Sequence, residues 1–292
     1  MVRQILQEYN VKGGKMDQHF LIDAAALDEI VDSAQLEPSD VVLEIGGGIG
    51  NLSERIAPRV SKLIIIELDP EMIHILKSRL AVYKNVEIIQ GNVMDIDLST
   101  LQLRFNKIVA NLPYSISSDI TLKFLQHNFD LAVLMYQYEF AQRLTAKPGG
   151  KDYGRLSVHV QHKADASLIL KVPKNSFEPA PKVDSAVIQL IPRPASYSVL
   201  NEDFFFSVTK AMFSQRRKKI KNTLIGSPLQ SEVPNLKIVL EQMSNLPLDD
   251  SFVSSALKNK TVGDLLSMRA EELAPADIAY FSNLLYGQKS NR

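Results

Sequence analysis

Asn111-Leu112-Pro113-Tyr114 is the segment of this chain best furnished for chemistry on an amine. An exocyclic amino group on a heteroaromatic ring is a poor nucleophile, because its lone pair is delocalised and must be localised before it attacks carbon. Two acceptors achieve that. The Asn111 side-chain oxygen and the Leu112 carbonyl, held extended by Pro113, can each take one amino hydrogen and aim the lone pair outward. A neutral amide suits the task, since positive charge develops on nitrogen and solvent removes the proton afterwards. Tyr114 offers a ring on which an extruded base stacks, worth about 1 to 3 kcal/mol, which offsets the few kcal/mol of unstacking. Alone, N-x-P-Y reads equally as a strand-ending turn, so its meaning rests on what lies upstream.

Upstream, the apolar run Val41 to Ile45 carries one acid, Glu44, and leads into Gly46-Gly47-Gly48-Ile49-Gly50. Glycine there lets a ligand lie against backbone. The dinucleotide pattern G-x-G-x-x-G fails, because Asn51 stands in the third glycine's place, and no Gly-Lys-Ser/Thr follows to make a P-loop. What fits is G-x-G-x-G with Glu44 ahead of it, which resembles the loop of class I methyltransferases. Their cofactor, S-adenosylmethionine, has no pyrophosphate to seat on a helix end. Gly46, Gly48 and Gly50 are then the cofactor loop. The next apolar run ends in Glu67, placed to accept both ribose hydroxyls, and the one after it ends in Gly91-Asn92, where the Asn92 side-chain oxygen would accept the adenine amino hydrogen. Asn111 borders the same cofactor.

The elements that must hold these groups follow from periodicity. Leu27, Ile30, Val31 and Ala34 recur at helical spacing behind Asp23, a candidate N-cap. Short apolar runs at 41–45, 63–66, 86–89, 108–110 and 131–136 alternate with amphipathic stretches such as 71–80 and 118–126. That alternation predicts an α/β fold: a class I, Rossmann-like, doubly wound sheet. Segments 156–162, 168–172 and 186–191 read as further strands in antiparallel arrangement, and 147–154 as a mobile loop. After a proline-bearing linker, Phe205, Val208 and Met212 begin a helical pattern. The expected division is a cofactor-binding catalytic domain over 1–192 and a small helical RNA-binding domain over 193–292.

At 292 residues, with 45% apolar and 23% charged residues, the chain can bury a core, and wholesale disorder is excluded. Having no cysteine removes disulfides and thiolate metal sites, and the five histidines lack metal-ligand spacing, so no metal is expected. No apolar run approaches the roughly 18 residues that span a bilayer, and the start is polar, which reads as a cytoplasmic protein. Net charge is zero, yet Lys210, Arg216, Arg217, Lys218, Lys219 and Lys221 form a run without an acid. At helical spacing Arg216, Lys219 and Ile220 share one side while Arg217, Lys218 and Lys221 spread around another, a positive surface suited to phosphates.

Together these motifs resemble the rRNA adenine N6-dimethyltransferases, specifically the small-subunit branch in an archaeal-looking form, over nearly the whole chain. Asp17-Gln18-His19-Phe20-Leu21 is similar to the family's G-Q-N/H-F-L motif over the methionine end of the cofactor, which assigns His19 and Leu21 to that end. Phe177-Glu178-Pro179-Ala180-Pro181-Lys182-Val183-Asp184-Ser185 resembles its F-x-P-x-P-x-V-x-S segment, which makes Phe177 the aromatic facing the target base opposite Tyr114. Tyr153 to Ser157 and Phe213 to Lys218 also follow the family pattern, with Arg143 and Arg155 as a second candidate grip on RNA. Asp17 and Asn92 depart from it, standing where the family has glycine and most often aspartate. The resemblance implies a monomer dimethylating two adjacent adenosines in the 3′-terminal hairpin of small-subunit rRNA during ribosome biogenesis. Rival readings are a large-subunit rRNA methyltransferase, a ribosome-assembly factor whose methylation is dispensable, and a DNA adenine methyltransferase. The Phe177 segment and the small domain favour the small subunit over the large.

Overall fold

The computed structural model describes residues 2–13, 18–99 and 105–290; Asp17 lies outside them. In chain order the first part comprises α1 (Val2–Glu8), β1 (Phe20–Leu21), α2 (Ala24–Ser33), β2 (Val41–Ile45), α3 (Ser53–Ile56), β3 (Lys62–Glu67), α4 (Pro70–Arg79), β4 (Val86–Gln90), β5 (Lys107–Asn111), α5 (Ser117–Phe124) and β6 (Leu131–Gln137). After α6 (Tyr138–Thr145) and α7 (Arg155–Lys163) come β7 (Ala164–Val172), β8 (Phe177–Glu178) and β9 (Ser185–Pro192). Helices follow, beginning with α8 (Glu202–Met212) and α9 (Ile220–Ile225) and ending with Pro275–Ser290.

The main sheet has seven strands in the order β4-β3-β2-β5-β6-β9-β7. The first five are mutually parallel, and β9 joins β6 and β7 antiparallel. Long apolar strands such as β3, buried from Leu63 through Glu67, can exist only where both faces are covered, which the flanking helices accomplish. Strand order reverses at β2, which pairs with both β3 and β5, and such a switch point opens a crevice at the carboxyl ends of the strands. Register keeps those ends level: Ile45 pairs with Ile66 and Glu67 with Gln90, and the Gly46 and Gly91 amides continue the ladder to Ile66 and Glu67 carbonyls at 2.9 Å. At the opposite edge a buried ion pair, Lys107 Nζ to Asp40 at 2.9 Å, fixes the starts of β2 and β5. Helix α2 starts as its sequence suggests, with Asp23 Oδ1 accepting from the Ala26 amide at 3.2 Å.

The chain divides into two compact units: residues 1–142 with 164–193, and 143–163 with 194–292. The second is therefore not a simple C-terminal block starting at 193; the segment 143–163 contributes to it. Its apolar cluster combines Phe205, Val208, Met212, Leu240, Leu265 and Phe281 with Tyr153 and Val158. The expected strand at 156–162 is instead helix α7. Alternating Leu156, Val158, Val160 and His162 mimic a strand, but Val158 and His162, one helical turn apart, are both buried, and Gln161 Nε2 donates to the Leu144 and Ala146 carbonyls. Helical surroundings override β-branched preference here. Loop 147–154 is tied down, its Gly149 amide donating to the Glu271 carbonyl at 2.7 Å.

Candidate active site

The carboxyl ends of β2, β3, β4 and β5 enclose a cavity of about 340 Å³ whose lining includes His19, Leu21, Gly46, Gly48, Glu67, Asn92 and the Asn111–Tyr114 loop. Gly50 lies just beyond this lining, closing the turn through its amide to the Gly47 carbonyl at 2.9 Å. The glycine loop needs its glycines for conformation: φ is +72° at Gly46, +54° at Gly48 and +84° at Gly50, the left-handed region that side chains disfavour. At Gly48 a Cβ would also stand 3.3 Å from the Phe20 ring. Asn51, the residue that breaks the dinucleotide pattern, is buried and donates through Nδ2 to the Leu21 carbonyl at 3.1 Å, tying the loop to β1. Arg79 braces the loop from outside, pairing with Glu54 at 2.6 Å and donating to the Ile49 carbonyl.

Glu67 has two tasks. Its Oε1 accepts from the Leu68 and Asp69 amides at 2.8 and 2.9 Å, while Oε2 accepts from Gly48 at 3.1 Å. A carboxylate offers about four lone-pair sites, so capacity remains for a hydroxyl pair. The side chain therefore holds the glycine loop as well as facing the cavity. Asn92 is engaged more fully than its sequence position suggests: Oδ1 accepts from the Met94 amide at 3.0 Å and Nδ2 donates to Asp95 at 3.1 Å. Those partners fix which end of the amide is oxygen.

Glu44 lines the cavity floor and is 1% exposed, with Ser53 donating to it at 2.7 Å. Burial pushes its carboxyl up to about 8, against the Ser53 hydrogen bond and reinforced by the Glu67 charge. Sequence pattern singled Glu44 out only as part of the loop signature; an acid inside an otherwise apolar buried strand was the signal for an unusual proton affinity.

At the mouth, Asn111 Nδ2 donates to the His19 carbonyl at 3.3 Å, which commits the nitrogen and leaves Oδ1 as the acceptor for a ligand. His19 Nδ1 lies 2.8 Å from the Pro179 carbonyl, which can only accept, so this ring nitrogen carries the proton. The His19 ring stacks on Tyr114 with centroids 6.0 Å apart and planes 26° apart. The Tyr114 hydroxyl meets Ser185 Oγ, and Gln18 donates to Asp69 at 2.7 Å. Ser185 and Gln18 escaped sequence reasoning as individual residues, because their roles arise from strands far apart in the chain.

Phe177 lies outside the cavity lining. It is 2% exposed, pairs with Leu21 in the small β1–β8 sheet, and packs in the core cluster with Leu21, Leu27 and Val187. It packs behind β1, the short strand that directly follows His19. The basic run also departs from a helical arrangement: residues 213–218 form turns and bends after α8, and Lys219 is the extended N-cap of α9. Arg216 pairs with Glu271 at 2.7 Å and Lys221 approaches Glu241 at 3.8 Å. Arg217, Lys218 and Lys219 are exposed and, among the described residues, form no ion pair; Arg143 and Arg155 are exposed in the same unit. No group of metal-ligating side chains occurs among the described residues, and none of their helices is long and apolar enough to cross a membrane.

Residues 11–252 match the family model described as ribosomal RNA adenine dimethylase. The probable ribosomal RNA small subunit methyltransferase A of Methanosarcina mazei is 48% identical over 99% of both chains. Among solved structures, a dimethyladenosine transferase from Plasmodium falciparum superposes with TM-score 0.74 at 29% identity, covering 93% of this chain and 98% of that one. The 23S rRNA methyltransferase ErmE shares the fold, with TM-score 0.65 at 23% identity over 91% of this chain and 99% of that one.

Proposed function

Because the chain belongs to the ribosomal RNA adenine dimethylase family, we propose that it is the S-adenosylmethionine-dependent enzyme dimethylating N6 of two adjacent adenosines in the 3′-terminal hairpin of small-subunit rRNA. The cavity fits the cofactor: a left-handed glycine turn allows close backbone approach, Glu67 stands ready for ribose hydroxyls, and Val93 and Leu68 offer apolar surface beside Asn92 for a purine. When bound, the cofactor supplies an electrophilic methyl group. The chain's own residues bind and orient the amine, and solvent takes the proton that each transfer releases. Asn111 Oδ1 and the Leu112 carbonyl accept hydrogen bonds from the amino hydrogens and direct the nitrogen lone pair, and Tyr114 carries the flipped base on its ring.

The single observation that carries this reading is the Asn111 amide, oriented by the His19 carbonyl so that its oxygen is left to accept. A pure assembly factor has no use for such orientation. The small-subunit reading is favoured over the large by the identity to the methanosarcinal relative, whereas the likeness to ErmE extends to the fold alone. A ribosomal substrate places the reaction in the cytoplasm. The test is labelled methyl transfer onto unmethylated small subunits, with large subunits and duplex DNA as controls. Asn111→Ala should lower turnover on small subunits about a hundredfold or more while RNA binding persists, as expected for a lost transition-state acceptor. Near-parental dimethyladenosine formation by that variant defeats the proposal.

A further inference from the structure

Lys123 sits on α5 and touches neither the glycine loop nor the Asn111 loop, yet its ammonium is one of the most fully committed groups in the chain. Its Nζ donates to the carbonyls of Val93 at 2.8 Å, Met94 at 3.0 Å and Ile96 at 2.6 Å. An ammonium has three protons, and each has a backbone acceptor here.

The loop it grips is the one that bears Asn92. The Asp95 and Ile96 amides fold back onto the Asn92 carbonyl at 2.9 and 3.3 Å, and Asn92 Oδ1 accepts from the Met94 amide. With the amides spent inward, the carbonyls of Val93, Met94 and Ile96 converge outward on one point. Convergent carbonyl dipoles repel one another unless a cation sits among them. The turn is also tight, since a Cβ on Gly91 would stand 2.9 Å from Ile96 Cδ1. Val93, 4% exposed, and Asn92 face the cavity from this same loop.

We infer that Lys123 is a positioning residue for the purine end of the cofactor, acting as a built-in cation that closes the 92–96 turn and holds Asn92 and Val93 in their binding geometry. The inference rests on the proposed cofactor reading of the cavity. It adds a link between the two halves of the reaction. Helix α5 begins at Ser117, whose Oγ donates to the Tyr114 carbonyl at 3.0 Å, so the same short helix is fastened to the target-base loop at one end and to the purine loop near the other.

The experiment is calorimetric titration of the full chain with S-adenosylhomocysteine and with its inosine counterpart, which lacks the purine amino group, for the parent, Lys123→Met and Lys123→Gln. The parent should prefer the adenosine compound. Lys123→Met should weaken adenosine-compound binding about tenfold, equivalent to losing a charge-assisted hydrogen bond, and bring the two compounds within a few-fold of each other. In methyl transfer, KM for the cofactor should rise while kcat at saturation and KM for RNA change less than about threefold. Lys123→Gln keeps the stem and offers an amide with two N–H groups, so an intermediate loss is expected. It decides the matter if the Met variant does not fold. Parental affinity and parental discrimination in a folded variant overturn the inference, as does an equal loss for both compounds, which would mean general loosening. If the parent binds neither compound, the cofactor reading itself falls and the inference with it.

Discussion

The Tyr114 hydroxyl and Ser185 Oγ lie 2.6 Å apart, joining the last residue of the N-x-P-Y loop to the first residue of β9, where Ser185 is fully buried. A ring used only for stacking would need no hydroxyl. This contact sets its direction, while His19 covers part of one face. Ser185→Ala and Tyr114→Phe should each lower kcat/KM for RNA about five- to tenfold, the value of one hydrogen bond, and the double variant should be no worse than either single one. Additive losses in that double-mutant cycle would show that the two hydroxyls act independently. Tyr114→Ala, which removes the ring, should lose about 1 to 3 kcal/mol of base stacking.

Glu67 holds three backbone amides and lines the cavity proposed for the cofactor. Glu67→Ala should therefore weaken S-adenosylhomocysteine binding about tenfold or more and also destabilise the ligand-free protein by about 1 to 3 kcal/mol, because those donors lose their acceptor. Calorimetry and denaturant unfolding report the two effects separately. A loss of affinity without a loss of stability would deny Glu67 its hold on the glycine loop.

Glu44 makes the stability of the protein depend on pH. Its folded-state pKa, about 8, stands above the ordinary 4.5, so the folded protein holds a proton that the unfolded chain releases. The contribution is fully present below about pH 4.5 and fades as pH rises toward about 8, at up to about 1.4 kcal/mol per pH unit. Glu44→Gln, which cannot ionise, should flatten the fall in stability between pH 5 and pH 8, as read from urea midpoints. Parallel pH profiles for parent and variant would place the proton elsewhere.

Arg217, Lys218 and Lys219 project from the turn between α8 and α9. Each phosphate contact contributes about 0.7 to 0.9 to the slope of log affinity against log salt, so neutralising all three should flatten that slope by about 2. Filter binding to ribosomal RNA across a salt series measures it, and cofactor affinity serves as the control. A parental slope would direct attention to Arg143 and Arg155.

The sheet and the glycine loop were legible because their signals are local. Buried parallel strands advertise themselves as apolar runs, and Gly46, Gly48 and Glu67 occupy strand ends that the runs already mark. What stayed hidden depends on partners distant in sequence. Nothing near Asn92 shows that its amide also braces its own turn, and Lys123 lies 27 residues or more from the carbonyls it caps. The motif that assigns Phe177 to the target base says nothing of its pairing with Leu21 or its place in the core cluster. Residues 156–162 misled for a different reason: alternating apolar residues fit both a strand and one side of a short helix, and only the surrounding helical cluster decides between them.

Because residues 143–163 supply Tyr153 and Val158 to the core of the second unit, and Tyr153 hydrogen-bonds the Leu273 carbonyl at 2.9 Å, that unit is not a cassette. A gene fragment beginning at codon 194 would encode helices missing two fully buried side chains of their own interior. One recombination crossover in the proline-bearing linker would therefore transplant an incomplete body. Change in this unit is thereby confined to residue-by-residue substitution, or to exchanges that move two separated stretches of the gene together.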